Sequence, residues 1–495
     1  MLKTVEESSF PSADPKEHIL RDLGANALEL LPLTDSKKRS EWGYAPAHYF
    51  ALDYDLGMPD QTASTDFANV SQKCLDNKIR LIADTVMAFG YDPYGYINFE
   101  TFHTVIGENP DKGDSDNWKS SRDWEPRKNW GGRLWRYNRD VKTYNPENGK
   151  KTKFTPARMF HRAHLAWWMS HYILGGFRLD SIENVSNWEF LREFRSDAYR
   201  HFKPIYGQDA DIRDRFLIIG EELSMPIDLV QGPRKQADAL WNEGFQQRVR
   251  AAIVGEGWRD NFEWTVKKMI DCTLLNFGGK ALNYGGKVIN YITSHDTENY
   301  RKERLCDFLD EFHLNTEEKK QRSKLAFACL LTSIGIPMIF EGEEFCDEGD
   351  QPLKDPYKQR DPVNWKRKND PWRTDVFNCV SRLVKLRKES PALTNLTKGS
   401  TSFIHMDFDY SRRIMAWVRR AKRNGGTGGD LGSMVVVVAN FSDEKTPGPV
   451  YHINGWPAKS EEQEWYEVIA DHKSPDAGTE TLRAWDVKVY KLVTG

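Results

Sequence analysis

The chain has 495 residues, with 70 Lys and Arg against 73 Asp and Glu, and a net charge of −3. That balance gives no electrostatic case for nucleic acid or an anionic membrane surface as a partner. The length exceeds one ordinary domain but suits a large barrel with insertions joined to a smaller domain.

In chain order, Met1–Ser9 offers only a weak first strand, through Leu2–Glu6; otherwise upstream material supplies it. No basic segment followed by an apolar core precedes Pro11, so no signal peptide is expected. Lys16–Leu23 reads as a helix after Asp14 and Pro15. Ala25–Leu33 is an apolar run of the kind that forms a buried parallel strand. Helix Phe67–Asn77 leads into a second run, Ile79–Met87. A polar, glycine-bearing excursion, Gly90–Thr155, carries Trp118, Trp124, Trp130 and Trp135. Such an insertion either shapes a cleft or forms a flap with a small core of its own. Helix Arg158–Leu174 leads into Gly175–Ile182, and further runs follow at Phe216–Glu221, Ala237–Trp241, Val288–Thr293 and Gly335–Phe340.

This alternation predicts an α/β fold, a (β/α)8 TIM barrel with a long insertion after the third strand. Seven runs are visible, and the absent one should come first. Leu325–Phe340 is too short to span a bilayer and contains Thr332, Ser333, Gly335 and Pro337. It reads as a buried helix running into a strand. Beyond Leu393 the runs become short and antiparallel in character: Ser402–Phe408, Ile414–Arg420, Met434–Asn440 and Val487–Leu492. The Gly-rich loop Asn424–Gly432 suits a hairpin. The expected domains are a catalytic barrel at 1–394, including the insertion 90–155, and a C-terminal β-sandwich at 395–495. The six cysteines are scattered, with no Cys-x-x-Cys pair. Reduced thiols in a cytoplasmic setting are expected.

Three carboxylates stand at the ends of strand-like runs: Asp180 closes 175–180, Glu221 closes 216–221 and Asp296 closes 291–296. A parallel barrel gathers such positions at one mouth. Retaining glycoside cleavage needs one carboxylate as nucleophile and another as proton donor. Arg178 is two residues before Asp180, hence on the same face of a strand, where it can hold Asp180 ionised. The proton donor must instead keep its proton near neutrality. His295 offers a donor for sugar hydroxyls.

Taken together, these segments resemble glycoside hydrolase family 13, the α-amylase family. Gly-Phe-Arg-Leu-Asp180 is similar to its second motif, which implies Asp180 as nucleophile. Ile-Ile-Gly-Glu221 is similar to the third, implying Glu221 as general acid/base, and Thr-Ser-His-Asp296 to the fourth, implying Asp296 as transition-state stabiliser. Trp42-Gly43-Tyr44 resembles the segment whose Tyr stacks under the cleaved sugar. Residues 335–344 resemble the eighth strand and its loop. Glu221 is preferred over Glu222 because it directly follows the motif glycine. Asp84, Arg178, Tyr44, Trp42, His295 and Glu183 are the expected substrate-binding set. Glu183 and Asn184 either touch the acceptor side of the cleft or cap the next helix.

The first motif departs from the family pattern. It reads Asp84-Thr85-Val86-Met87-Ala88-Phe89, so the family's Asn, often a calcium ligand, is Ala88, and its sugar-binding His is Phe89. Calcium wants oxygen ligands, which neither side chain offers. No metal and no cofactor are therefore expected. Ala163–Asp180, with Trp167, Trp168 and Tyr172, is more similar to branching, debranching and trehalose-releasing members than to simple amylases. The resemblance implies a retaining hydrolase of starch- or glycogen-type α-glucans or malto-oligosaccharides. A glucan-branching transglycosylase is the first alternative, and an inactive glucan-binding relative the second. Activity should survive exhaustive chelation. Loss with chelator and return with calcium would contradict the reading of Ala88 and Phe89.

Overall fold

All seven apolar runs become strands: β1 Ala27–Leu30, β2 Arg80–Val86, β3 Gly176–Asp180, β4 Leu217–Gly220, β5 Ala239–Asn242, β6 Val288–Tyr291 and β7 Ile336–Met338. The computed structural model describes residues 19–36, 42–58, 60–90, 101–103, 133–206, 216–277, 279–301, 303–350, 362–421, 433–448 and 450–494. The weak first strand, Trp118, Trp124, Trp130 and the loop Asn424–Gly432 lie outside them. The chain divides into two units, one built from residues up to Leu240, the other from Trp241–Gly495 with Asp22–Gly24.

In the first unit, β1 to β5 pair in parallel in chain order. Helices fill the crossovers from β1 to β4, and the β4–β5 connection carries only the short turn Ile227–Leu229. Helix α1, Ala63–Asp76, begins four residues before the predicted Phe67. Thr62 causes this, because its hydroxyl accepts from the amide of Thr65 at 3.2 Å and caps the helix. Helices α2, Pro156–His171, and α3, Trp188–Tyr206, cover the next crossovers.

Register sorts the strand residues into layers, since paired residues of parallel strands point to one face. Glu29 pairs with Ile82, Ile82 with Gly176 and Gly176 with Leu217. Two residues further along, Asp84 pairs with Arg178 and Arg178 with Ile219. At the strand ends, Val86 pairs with Asp180.

In the second unit, the end of β5 meets β6 through Asn242, whose Nδ2 donates to Asn290 Oδ1 at 2.8 Å. Strand β6 pairs in parallel with β7. Asn290 also donates to Ser333 Oγ and to the Ile334 carbonyl, each at 3.1 Å. Gly335 has φ +145°, and an added Cβ would lie 2.2 Å from Asn290 Nδ2. Only glycine lets the chain pass this amide. Helix α4, Thr316–Thr332, is buried from Leu325 to Thr332, which explains why its second half is apolar all round.

The C-terminal sheet holds β8 Thr401–Asp407, β9 Ile414–Arg420, β10 Met434–Asn440, β11 Gln463–Glu467, β12 His472–Lys473 and β13 Val487–Thr494. Its order is β8-β9-β10-β13-β11-β12, with every pairing antiparallel. Met415, Trp417, Val435 and Val437 pack with the helices of this unit, whereas Ile414, Ala416, Val436 and Val438 form a second cluster with Trp465 and Tyr490. Period-two alternation between two cores makes β10 buried at every position. All six cysteines are buried and unpaired with one another. No helix among the described residues is long and apolar enough to cross a membrane.

Trp135, from the predicted insertion, is a core residue. It lies against Tyr49, Phe160 and His161 at ring-centroid distances of 5.5, 5.0 and 4.4 Å. Helix α2 turns His161, His164, Leu165 and Trp168 inward at helical spacing. His161 is wholly buried, and neither of its ring nitrogens has a hydrogen-bond partner among the described residues. Burial holds His161 well below its usual range and pulls His164 down to about 3. The folded state thus binds fewer protons than the unfolded chain between pH 6.5 and about 3, so stability falls as pH drops through that window. At pH 5 the His164 contribution is about 2 kcal/mol. Urea unfolding at pH 7.5 and pH 5 should show this loss, and His164→Met should remove about one proton's worth of the slope. Equal slopes for the variant and the parent would contradict the assignment.

Candidate active site

Arg178 lies at the centre of the layer in which Asp84 faces β3, and its side chain is wholly buried. Its Nη1 donates to Asp84 Oδ2 at 2.6 Å and to Asp180 Oδ1 at 3.0 Å. Its Nη2 lies 2.8 Å from Glu221 Oε2. Tyr44 Oη donates to Asp84 Oδ2 at 2.5 Å and accepts from Arg178 Nη1 at 3.3 Å. Burial disfavours the guanidinium charge, but Asp84, Glu221, Tyr44 and Asp180 outweigh it and hold the Arg178 pKa well above its usual value. Four of the expected residues therefore meet around one cation, itself the fifth.

Local backbone geometry sets their positions. Asp180 is the last residue of β3, and Ser181 follows in a left-handed conformation at φ +44°. That turn aims the Ser181 amide at Glu221 Oε2, 2.9 Å away. The Ile182 amide donates to the Glu221 carbonyl, and the Glu221 amide to the Leu179 carbonyl, each at 3.0 Å. A strained residue between two carboxylates is the kind of feature found at functional sites. Gly43 has φ +91°, and a Cβ there would meet the Pro32 carbonyl at 2.3 Å, so glycine is required where the chain brings up Tyr44. Trp42, two residues before Tyr44, is half-buried.

Glu222 points elsewhere. It is 4% exposed, and both carboxylate oxygens accept from Ser224 Oγ, at 2.8 and 2.9 Å. Burial raises its pKa, opposed by the Ser224 hydrogen bonds, with Glu183 and Glu221 adding to the rise. Glu183 is exposed in the short helix Ile182–Val185, and Asn184 Nδ2 donates to Ser181 Oγ. Asn184 thus serves the turn after Asp180, while Glu183 faces outward.

His295 and Asp296 lie in the second unit. They do not close a strand, as the sequence reading had it. β6 ends at Tyr291, and both residues belong to the first turn of helix His295–Arg301. The Thr297 amide donates to Ser294 Oγ at 3.4 Å at this helix start. Arg250 Nη2 donates to Thr293 Oγ1 at 3.0 Å, steadying the approach. The His295 ring meets buried Trp241 edge-on at 5.7 Å, and its Nε2 is 3.5 Å from Asp296 Oδ1.

Ala88 and Phe89 are buried. The carbonyls of Met87, Ala88 and Phe89 accept from Tyr137 Oη at 2.5 Å, the Trp135 amide at 3.3 Å and Tyr49 Oη at 2.7 Å respectively. Side chains and carbonyls of this loop are both committed to the protein's own core. Glu29, an acid that the sequence reading passed over inside an apolar run, belongs to the layer beneath Asp84 and Arg178. A lone carboxylate in an otherwise apolar run was the signal that marked it.

The model of the alpha-amylase catalytic domain matches residues 16–424. The chain belongs to the alpha-amylase family. It is 23% identical over 427 residues to a 1,4-alpha-glucan branching enzyme, GlgB, of Bacillus cytotoxicus, covering 84% of this chain and 56% of that protein. It is 24% identical over 410 residues to a pullulanase of Bacillus subtilis, covering 75% of this chain and 50% of that protein. The chain thus spans about half the length of the curated relatives it matches. An alpha-amylase from Geobacillus thermoleovorans, solved with acarbose, superposes with a TM-score of 0.67 at 17% identity, covering 99% of this chain and 92% of that one. The Bacillus subtilis pullulanase solved with maltose gives 0.67 at 18% identity, covering 96% and 64%. These likenesses establish the alpha-amylase fold, barrel and C-terminal sheet together.

Replacing Arg178 should expose how much this alpha-amylase-type site depends on it. Arg178→Met leaves Asp84 buried without its cation, a loss of about 3–5 kcal/mol for a broken buried pair. Urea unfolding measures it. A change under about 1 kcal/mol would mean that the carboxylates do not rely on the guanidinium.

Proposed function

We propose that the chain cleaves α-glucosidic bonds of starch- or glycogen-type glucans, or of their oligosaccharides, with retention. Asp180 attacks the anomeric carbon, the glycosidic C–O bond breaks, and Glu221 gives its proton to the departing oxygen. Water then attacks the same carbon, Glu221 takes the water's proton, and Asp180 is released. Asp296 is assigned to the positive charge of the transition state, Tyr44 to the face of the sugar and His295 to its hydroxyls. The observation that carries this reading is the shared guanidinium: Asp180 and Glu221 both lie within 3.0 Å of Arg178. Two carboxylates on one cation favour the close pair of a retaining site over the wider pair of an inverting one. The commitment of Glu222 to Ser224 supports Glu221 as the acid. The engaged carbonyls of residues 87–89 support catalysis without the family's usual calcium ion.

A second reading replaces water by a glucan hydroxyl, which makes the protein a branching transglycosylase. Its support is the likeness to GlgB over 84% of the chain. Incubation with a soluble α-glucan separates the cases. New reducing ends mean hydrolysis. Altered iodine staining without new ends means branching. Neither change, with binding intact, means a glucan-binding protein. Glu221→Gln should lower turnover by about a thousandfold or more, whereas Glu222→Gln should keep most of it. The reverse pattern would move the acid to Glu222.

A further inference from the structure

Glu29 is the one ionisable residue of β1, which reads Ala-Leu-Glu-Leu. Its register partner Ile82 is two residues before Asp84, and Gly176, opposite Ile82, is two before Arg178. Glu29 therefore stands on the same face as the Arg178 cluster, one layer further from the strand ends. Across β2, β3 and β4 its layer carries no charge: Ile82, Gly176 and Leu217. Gly176 cannot gain a side chain, because a Cβ would lie 2.4 Å from the Leu217 carbonyl. No alkyl group there separates Glu29 from the layer above.

We propose that Glu29 is a positioning residue for the reaction, a carboxyl beneath Arg178 that competes for its guanidinium field and so governs how firmly the general acid above keeps its proton. This rests on the roles assigned to Asp180 and Glu221. The groups acting on Glu29 agree with the geometry. Burial raises its pKa to about 7, Arg178 opposes the rise, and Asp84 and Glu221 add to it. Glu29 therefore gains its charge as the solution passes neutrality. That new negative charge favours a proton on a neighbouring carboxyl, which is what a proton donor needs at the alkaline side of its range. The effect would pass through the field alone, with no contact to substrate.

The test is the pH profile of kcat/KM on maltoheptaose for the full chain and for Glu29→Gln, an isosteric change that keeps the packing. The alkaline limb should move down by about one pH unit, the size expected for a unit charge one layer away. The acid limb and the melting temperature at pH 6 should stay in place. Glu29→Asp should retain most of the parental alkaline limb. Superimposable profiles for parent and Glu29→Gln would overturn the proposal. A second measurement separates its failure from failure of the reaction assignment. Carboxyl 13C titration of the full chain should show Glu29 with a midpoint near neutrality. In Glu29→Gln, at least one of Asp84, Asp180 and Glu221 should titrate at lower pH. If none moves, the coupling is absent whatever the reaction.

Discussion

A single buried guanidinium organises the first unit. Arg178 has no exposed side-chain surface, yet three carboxylates and a phenol converge on it. A lone cation in that position would be strongly unfavourable, and so would three lone carboxylates. Each becomes tolerable through the others. The planar fork explains why the residue is Arg: Nη1 serves Asp84 and Asp180 while Nη2 faces Glu221, a division that a lysine's point charge cannot reproduce. The registers of β2, β3 and β4 deliver these groups to one face, so strand pairing and site electrostatics are the same constraint.

Much of this was legible in the sequence because it follows short-range rules. Arg178 and Asp180 are two apart on a strand, and Glu221 directly follows a glycine at a strand end. The apolar runs gave all seven described strands of the parallel sheet, since buried parallel strands have continuous apolar sequences. The misreadings also have physical causes. Asp296 looked like a strand end because Tyr-Ile-Thr is apolar and β-branched, but Ser294 meets the amide of Thr297 and a helix starts before Asp296 is reached. β11 was passed over because Gln463-Glu-Trp-Tyr-Glu467 is a half-polar strand in which only Trp465 and Glu467 are fully buried. Glu29 was absorbed into an apolar run, although it is the one charged residue of that strand.

The departures at Ala88 and Phe89 also have a structural counterpart. With no amide or imidazole there, the loop after β2 is tied by hydroxyl and indole donors from Tyr49, Trp135 and Tyr137. The same aromatics enclose His161 and His164. Trp135 and Tyr137 of the insertion are thus continuous with the core beside the site, and the alternative of a flap with its own separate core does not describe Trp135.

This packing sets limits on the working pH from two directions. Below about pH 6.5, protonation of the unfolded chain at His161 and His164 draws stability away from the core that holds the loop after Asp84. Around pH 7, Glu29 takes on charge within the face that carries Arg178. Folding thus responds on the acid side through His161 and His164, and the role proposed for Glu29 acts on the neutral side. Both arise from burying ionisable groups: His161 and His164 among the aromatics that tie the loop after β2, and Glu29 on the strand paired with β2. A protein that kept the three carboxylates but lost either burial would keep the motif and change the pH range over which it is useful.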